Sequence, residues 1–505
     1  MIVTLLRKLY RTRLLTFVGL YRLLEAIWTT GVNLMALLQI AAKLHSERIA
    51  VIDEREELTY LRLWQQAEAL AVGLRNECGI QPRQKVAIAC RNHAAAIKAI
   101  FAVSRLGADV FLINPEMSAD QIQAIEHQLH FDYYLHDPEI SPLIDALSLG
   151  HKAIPAYHPT STSVDQISLA SQATATPLHK VKTGKVVVMT GGTTGLPKPA
   201  SRKPSLFNFL PPFIALLSQV HLDQYRTVYI ATPIYHGFGL AALLIGVTLG
   251  AQQYFTQRFD ADRACDLIAQ ERIEVITLVP LMLGRMLNHD PEALSSLRRI
   301  LSGGAPLQPA LAQATLKQLG PVLFNLYGTS EAGFCILAAP ELLQRHPESI
   351  GKPIVGVQVQ IQHDGSQQQH PKGQLCIRST WSTGSNQWIK TGDLAYRDIQ
   401  GNLFLCGRVD DMVVSGGENV YPQELENVLL QHPNIDAVAV LGIPDPDFGQ
   451  RLKAVIISSP PQSLDQSILL AWLKPRVARY QMPAVIEFRQ ELPYTSLGKL
   501  NRKAL

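Results

Sequence analysis

Charge is scarce in this chain of 505 residues: Asp, Glu, Lys and Arg make up 17% of it and apolar residues 47%. Those proportions belong to a folded globular protein and exclude a disordered one. The formal net charge of +4 gives no basic footprint for nucleic acid. Acidic residues are missing altogether from the first 24 positions, which carry Arg7, Lys8, Arg11, Arg13 and Arg22, so the rest of the chain sums to −1. Cysteine is sparse and scattered: Cys78, Cys90, Cys265, Cys335, Cys376 and Cys406 form no CxxC pair and no Cys/His cluster with zinc-like spacing. That spacing excludes a zinc module and a disulfide framework, and implies reduced thiols in a cytosolic compartment. The amino-terminal segment also lacks a long unbroken apolar run. Its longest uncharged stretch, 26–42, carries Thr29, Thr30, Gly31, Asn33 and Gln39, which is short and polar for a spanning helix. Residues 1–43 therefore read as a basic, apolar helical extension. Such a segment either lies in the interface of an anionic membrane surface or packs as helices on the protein body. No small-residue cleavage site follows a compact apolar region, so a secretory signal is not expected.

From residue 47 onward, helical periodicity alternates with short β-branched runs, the signature of an α/β fold. The pattern predicts helices over 64–74 and 92–106 and strands at 85–89, 185–189, 227–231, 275–279, 299–301 and 322–326. The last five each run into a polar or Gly/Pro-containing loop. Ligands in open parallel sheets bind outside the carboxyl ends of the strands, so these five loops are expected to meet in one cleft. A charged, small-residue segment, Gly407-Arg408-Val409-Asp410-Asp411, then interrupts the apolar pattern. It divides the chain into a large multi-sheet domain, 44–407, and a small, mobile α+β domain, 408–505, with the hinge at 408–411.

The segment Thr190-Gly191-Gly192-Thr193-Thr194-Gly195-Leu196-Pro197-Lys198 follows an apolar strand-like run. Glycines let backbone N–H groups wrap phosphate oxygens, and threonine hydroxyls and a lysine add donors and charge. It is neither GxGxxG nor the P-loop pattern, because Lys198 does not directly follow the last glycine and no Ser or Thr follows it. A plain structural turn needs no such string of hydroxyls ending in lysine.

This segment resembles one in the adenylate-forming superfamily of acyl-CoA synthetases, firefly-type luciferases and peptide-synthetase adenylation domains, and the likeness continues in order to the last residue. Thr232-Pro233-Ile234-Tyr235-His236-Gly237 resembles the stretch whose histidine borders the acyl pocket, and Ser302-Gly303-Gly304-Ala305-Pro306 the loop against adenine. Asn325-Leu326-Tyr327-Gly328-Thr329-Ser330-Glu331 resembles the stretch with the adenine-stacking tyrosine, a phosphate-side threonine and a magnesium-associated glutamate. Thr391-Gly392-Asp393 resembles the ribose-binding motif. Arg408 and Asp410 fall at the positions of a ribose contact and the pivot, Ser415-Gly416-Gly417 at the thiol tunnel, and Gly498-Lys499 at the adenylation lysine. The stretches around Ile52-Asp53-Glu54-Arg55, Cys90-Arg91-Asn92-His93 and 106–110 look closest to bacterial fatty-acid–CoA ligases.

The resemblance implies a reaction. A carboxylate is a poor electrophile, so its oxygen attacks the α-phosphate of ATP, pyrophosphate leaves, and the acyl-AMP is passed to coenzyme A. Thr190, Lys198, Glu331 and Lys499 are the implied catalytic residues, magnesium the implied metal, and a medium- or long-chain fatty acid the implied substrate. Gly191 stands where the family usually has Ser or Thr, and Pro199 where it usually has Gly. Loss of one hydroxyl donor at Gly191 costs about 1 kcal/mol of ATP binding. Three alternatives stand beside this reading on the sequence: transfer to an acyl carrier protein, luciferase-like oxidation, and a non-catalytic nucleotide- or acyl-binding protein.

Overall fold

The computed structural model describes residues 8, 10–13, 16–147, 152–159, 162–170, 178–190, 198–202, 206–363, 372–415, 418–458, 464–495 and 499–505. Three sheets organise it. The first orders its six strands as Ala153–Pro155, Tyr133–His136, Lys85–Ala89, Asp109–Leu112, Val186–Thr190 and Lys198–Arg202; all neighbours are parallel except the last pair. The second is larger, with 13 strands. Its parallel half holds Ile49–Ile52, Gln252–Tyr254, Thr227–Ile230, Val275–Leu278, Arg299–Gly303 and Leu323–Thr329. The antiparallel half runs from Gly333–Ala338 through to Leu403–Arg408 and the strands beside it. A third, small sheet contains Glu418–Val420, Val413–Ser415, Gly449–Ser458 and Ile435–Asp445, with Val485–Phe488 paired to Gly449–Ser458. The architecture is thus α/β, with a large amino-terminal sheet domain and a smaller carboxyl-terminal one.

Each predicted strand is present, and the five whose loops are expected to meet in one cleft come from two sheets. Val186–Thr190 belongs to the first sheet and the other four to the second. Short buried apolar runs look alike whichever sheet they join. Pro199 lies inside the edge strand Lys198–Arg202, the place in a sheet where proline is tolerated.

The core of the large domain is helical as much as β. Thr59 caps Tyr60–Asn76, its hydroxyl accepting from the Arg62 N–H, and His93 caps Ala94–Arg105 through the Ala96 N–H. Every residue of Ala94–Arg105 is buried, Lys98 and Arg105 included. Buried charge must be paired: Lys98 sits 2.8 Å from both Glu56 and Asp165, and Arg105 2.9 Å from Glu68. His93 Nδ1 accepts from the helix, so Nε2 carries the proton that it donates to Asp137 at 2.7 Å. The ligand atoms of Cys90, His93 and Asp137 lie within 4.8 Å of one another. Arg91 shares that carboxylate and the imidazole is fully committed, so the group is a hydrogen-bonded cap.

At the amino end, Thr16 and Asn33 cap the helices Phe17–Thr29 and Leu34–Leu44. The second buries Leu34, Met35, Leu38, Ile40, Ala41 and Ala42, so residues up to 43 include part of the main core. The first keeps only Gly19 and Ala26 buried. Among the described residues no helix is long and apolar enough to cross a membrane. The six cysteines are free thiols, five of them buried.

Candidate active site

The carboxyl ends of Thr227–Ile230, Val275–Leu278, Arg299–Gly303 and Leu323–Thr329 open into one cleft of about 2510 Å³ between the large and small domains. The loop after Thr227–Ile230 is fixed from the other sheet. Asn92 donates to the carbonyls of Ile230 (3.2 Å) and Thr232 (3.1 Å), and its Oδ1 accepts from the Ile234 N–H (2.8 Å). The loop therefore delivers His236 to the first turn of Gly237–Leu249. His236 Nε2 is buried with no hydrogen-bond partner among the described residues, which marks it as a group waiting for a ligand atom.

Burial, helped by the positive charge of Lys499, pushes the His236 pKa down from 6.5 to about 3. The unfolded chain then binds a proton that the native chain refuses, so the stability contributed by neutral His236 is complete above pH 6.5 and is lost towards pH 3. His236→Asn should flatten the acid limb of the stability curve in that window, read as urea midpoints. An unchanged slope would contradict a buried neutral imidazole.

Opposite His236, Gly303 and Gly304 line the cleft with Ala305. Gly304 has φ of +81°, a left-handed conformation that costs a side-chain-bearing residue. Tyr327 donates its hydroxyl to Asp393 at 2.5 Å, and Arg408 reaches the other carboxylate oxygen at 2.9 Å and Asp410 at 3.5 Å. Burial lifts the Asp393 carboxyl above its ordinary range, opposed by Tyr327, Arg408 and Lys499, and burial with the Asp393 charge lifts the Tyr327 phenol. Gly392, at φ +80°, leaves room for Arg408: a Cβ there would stand 2.7 Å from the guanidinium. The Thr329 hydroxyl accepts from the Ala332 N–H, which leaves its proton to donate. Gly328 and exposed Glu331 line the same cleft. Asn325 also borders it, but its amide turns to the Ser349 carbonyl at 3.4 Å.

Lys499 comes from the small domain, on a turn closed by the Tyr494–Leu500 bridge and by backbone bonds to Thr495. The residue as a whole is exposed, yet burial of its amine and then Arg408 lower its pKa, while Asp393 and Glu331 raise it. Those four side chains and His236 share one electrostatic environment, and perturbed groups of this kind cluster where chemistry is done. Two anchors were not visible in the sequence. Arg502 pairs with Asp411 and with Glu426 (2.7 Å), and Lys372 of the large domain pairs with Glu424, which also accepts from Gln481 (2.9 Å).

Gly191, Gly192, Thr193, Thr194 and Gly195 lie outside the described residues, as do Gly416 and Gly417. Thr190 and Lys198 face each other in the Val186–Thr190/Lys198–Arg202 pair. Ser415 is buried at the end of Val413–Ser415 and does not line the cleft.

A family model of the AMP-binding enzymes matches residues 38–384, and that of the AMP-binding enzyme C-terminal domain matches 424–499. The 2-succinylbenzoate–CoA ligase of Bacillus pumilus is 29% identical over 91% of this chain and 95% of its own length. A feruloyl-CoA synthase of Amycolatopsis is 28% identical over 91% and 95%. Among solved structures, an amide bond synthetase from Marinactinospora thermotolerans superposes with a TM-score of 0.82 at 26% identity, covering 93% of this chain and 98% of that one. The fold and the cleft define an adenylate-forming enzyme, and the chain belongs to the AMP-binding enzyme family. Its chemistry is ATP-dependent ligation of an acid to coenzyme A, with magnesium. Magnesium is a hard cation that needs few protein ligands beside nucleotide phosphates, and the exposed Glu331 carboxylate in the cleft fits it. Held there, the metal would offset phosphate charge.

Proposed function

We propose that this ligase activates acids with an extended apolar tail, medium- or long-chain fatty acids, and passes the acyl group to coenzyme A. The observation that carries the reading is the apolar wall that follows His236 along Gly237–Leu249, which we read as one side of an acyl channel. Phe238, Ala241, Ile245 and Leu249 follow one face of Gly237–Leu249, only partly buried, and line the cleft together with Val228, Val275 and Leu301. From Phe238 to Leu249 the helix rises about 16 Å, the length of a hydrocarbon tail and not of a single ring. With the tail in this channel, the carboxylate meets His236 and Gly304. In-line attack on the α-phosphate expels pyrophosphate, and Lys499 balances the charge that builds on the acyl and phosphate oxygens. Asp393 and Arg408 are assigned to the ribose, Tyr327 to adenine, Thr190 to Lys198 to the outer phosphates, Asp410 to the pivot, and Ser415 to Gly417 to the thiol passage after the small domain turns.

A compact aromatic acid is the second reading, favoured by the 2-succinylbenzoate and ferulate named for the relatives. An acyl carrier protein in place of coenzyme A is the alternative acceptor. Pyrophosphate release should be measured across straight-chain and aryl acids, with coenzyme A or a carrier protein as acceptor. Long straight chains should lead, and Ile245→Trp should lower their kcat/KM at least tenfold, about 1.4 kcal/mol, while sparing short acids. Faster turnover of aryl acids, unaffected by Ile245→Trp, would replace the fatty-acid reading with the aromatic one.

A further inference from the structure

Helix Phe17–Thr29 presents to solvent the face that a surface helix normally hides. Phe17 is 95% exposed, Tyr21 62%, Leu24 67% and Trp28 82%, at i, i+4, i+7 and i+11, with Val18 and Leu20 beside them. No charged residue interrupts that stripe; Arg22 and Glu25 pair with each other at its flank. The helix precedes residue 38, where the family match begins, so it is an addition to the catalytic fold.

We propose that this face docks the enzyme onto an anionic lipid bilayer, with the helix lying flat in the interface. Its 13 residues span about 20 Å, short of the roughly 30 Å hydrocarbon core, so the helix lies on the membrane and does not cross it. Aromatic side chains with one polar edge favour the headgroup boundary, and Tyr10, Tyr21 and Trp28 all stand exposed. Charge complements them: Arg11 and Arg13 are exposed next to the helix, in a stretch without an acid before Glu25.

The position also suits a substrate that arrives from lipid. Lys8 donates to the Leu217 carbonyl at 2.6 Å, and Asp223 lies 4.0 Å from Lys8 and 3.6 Å from Arg11. This clamp fastens the start of the extension to Leu217 and Asp223, whose chain neighbours Leu216 and Leu222 line the cleft with Tyr225 just ahead of Thr227–Ile230. The segment that leads into the docking helix is thereby fastened beside residues that line the cleft. Only this last link rests on the fatty-acid reading, and vesicle binding is measured without acid or ATP, so either can fail alone.

Full-length enzyme should be sedimented with phosphatidylcholine vesicles, with and without phosphatidylglycerol, at low and high salt. The wild type should pellet with the anionic vesicles and be released several-fold by salt. Leu24→Asp/Trp28→Asp, both at exposed positions, should lower binding at least tenfold with an unchanged melting temperature and turnover of a water-soluble short acid within twofold. Arg13→Glu should weaken binding to anionic vesicles alone. Wild type left in the supernatant, or a double variant that binds equally well, overturns the proposal. A wild-type dimer in sedimentation velocity that the double variant abolishes, without vesicle binding, assigns the face to a second copy instead.

Discussion

Lys499→Ala should stop acyl-AMP formation, lowering ATP–pyrophosphate exchange at least a hundredfold, while thioester formation from supplied acyl-AMP continues within a few-fold. Loss of a donor aimed at developing oxyanion charge costs about 3 kcal/mol. Lys499 is placed for that work by a two-sided constraint: the Thr495 turn fixes its backbone, and Arg408, Asp393 and Glu331 set the field at its amine. If the small domain alternates as proposed and the lysine serves one arrangement, only the half-reaction performed in that arrangement should suffer. Each half-reaction is measured separately, the first by isotope exchange and the second by thiol consumption. Equal loss of both would mean that the small domain does not alternate between two arrangements, or that the variant is misfolded.

Asp393→Ala should raise the KM for ATP and lower kcat/KM at least a hundredfold, with Asp393→Asn intermediate. One carboxylate holds both the Tyr327 hydroxyl and the Arg408 guanidinium. Hydrogen bonds to a charged group are worth about 1.5–3 kcal/mol each, so alanine also releases the two side chains assigned above to adenine and ribose. The amide keeps one acceptor oxygen and the shape of the pair, which is why it should retain part of the function. Calorimetric titration with AMP separates binding from chemistry. If the alanine variant bound AMP within twofold of wild type, the carboxylate would not face the ribose, and its role would be confined to the Tyr327–Arg408 pair.

Much of this site could be read in the sequence because its residues travel in short strings attached to strand ends. His236, Gly304, Tyr327, Glu331 and Asp393 all stand in the cleft, and each sits in a string of glycine, hydroxyl and charged residues after an apolar run. The side chains that hold those strings in place could not be read. Asn92 serves a loop about 140 positions away, Lys8 fastens to Leu217 and Asp223, and Lys372 meets Glu424 across the domains. Nothing local distinguishes such a residue from an ordinary polar one, because its partner is chosen by the fold. Sheet membership is hidden for a similar reason: Val186–Thr190 and Val275–Leu278 have similar apolar character and lie in different sheets. The extension was divided for a third reason. Leu34–Leu44 and Phe17–Thr29 are both apolar and both capped, and only packing shows that one is core and the other is not.

Asn92 has a consequence for how such an enzyme changes over generations. It ties the loop leading to His236 to the loop after Lys85–Ala89, so the place where a carboxylate is met is bolted to two sheets at once. The wall formed by Phe238, Ala241, Ile245 and Leu249 carries no such bolt; it is one stripe of one helix, half-buried against open space. Drift in substrate range should therefore accumulate along that stripe, residue by residue, while the acid-facing end stays where it is. Descendants would come to differ in the tails they accept long before they differ in the group they activate.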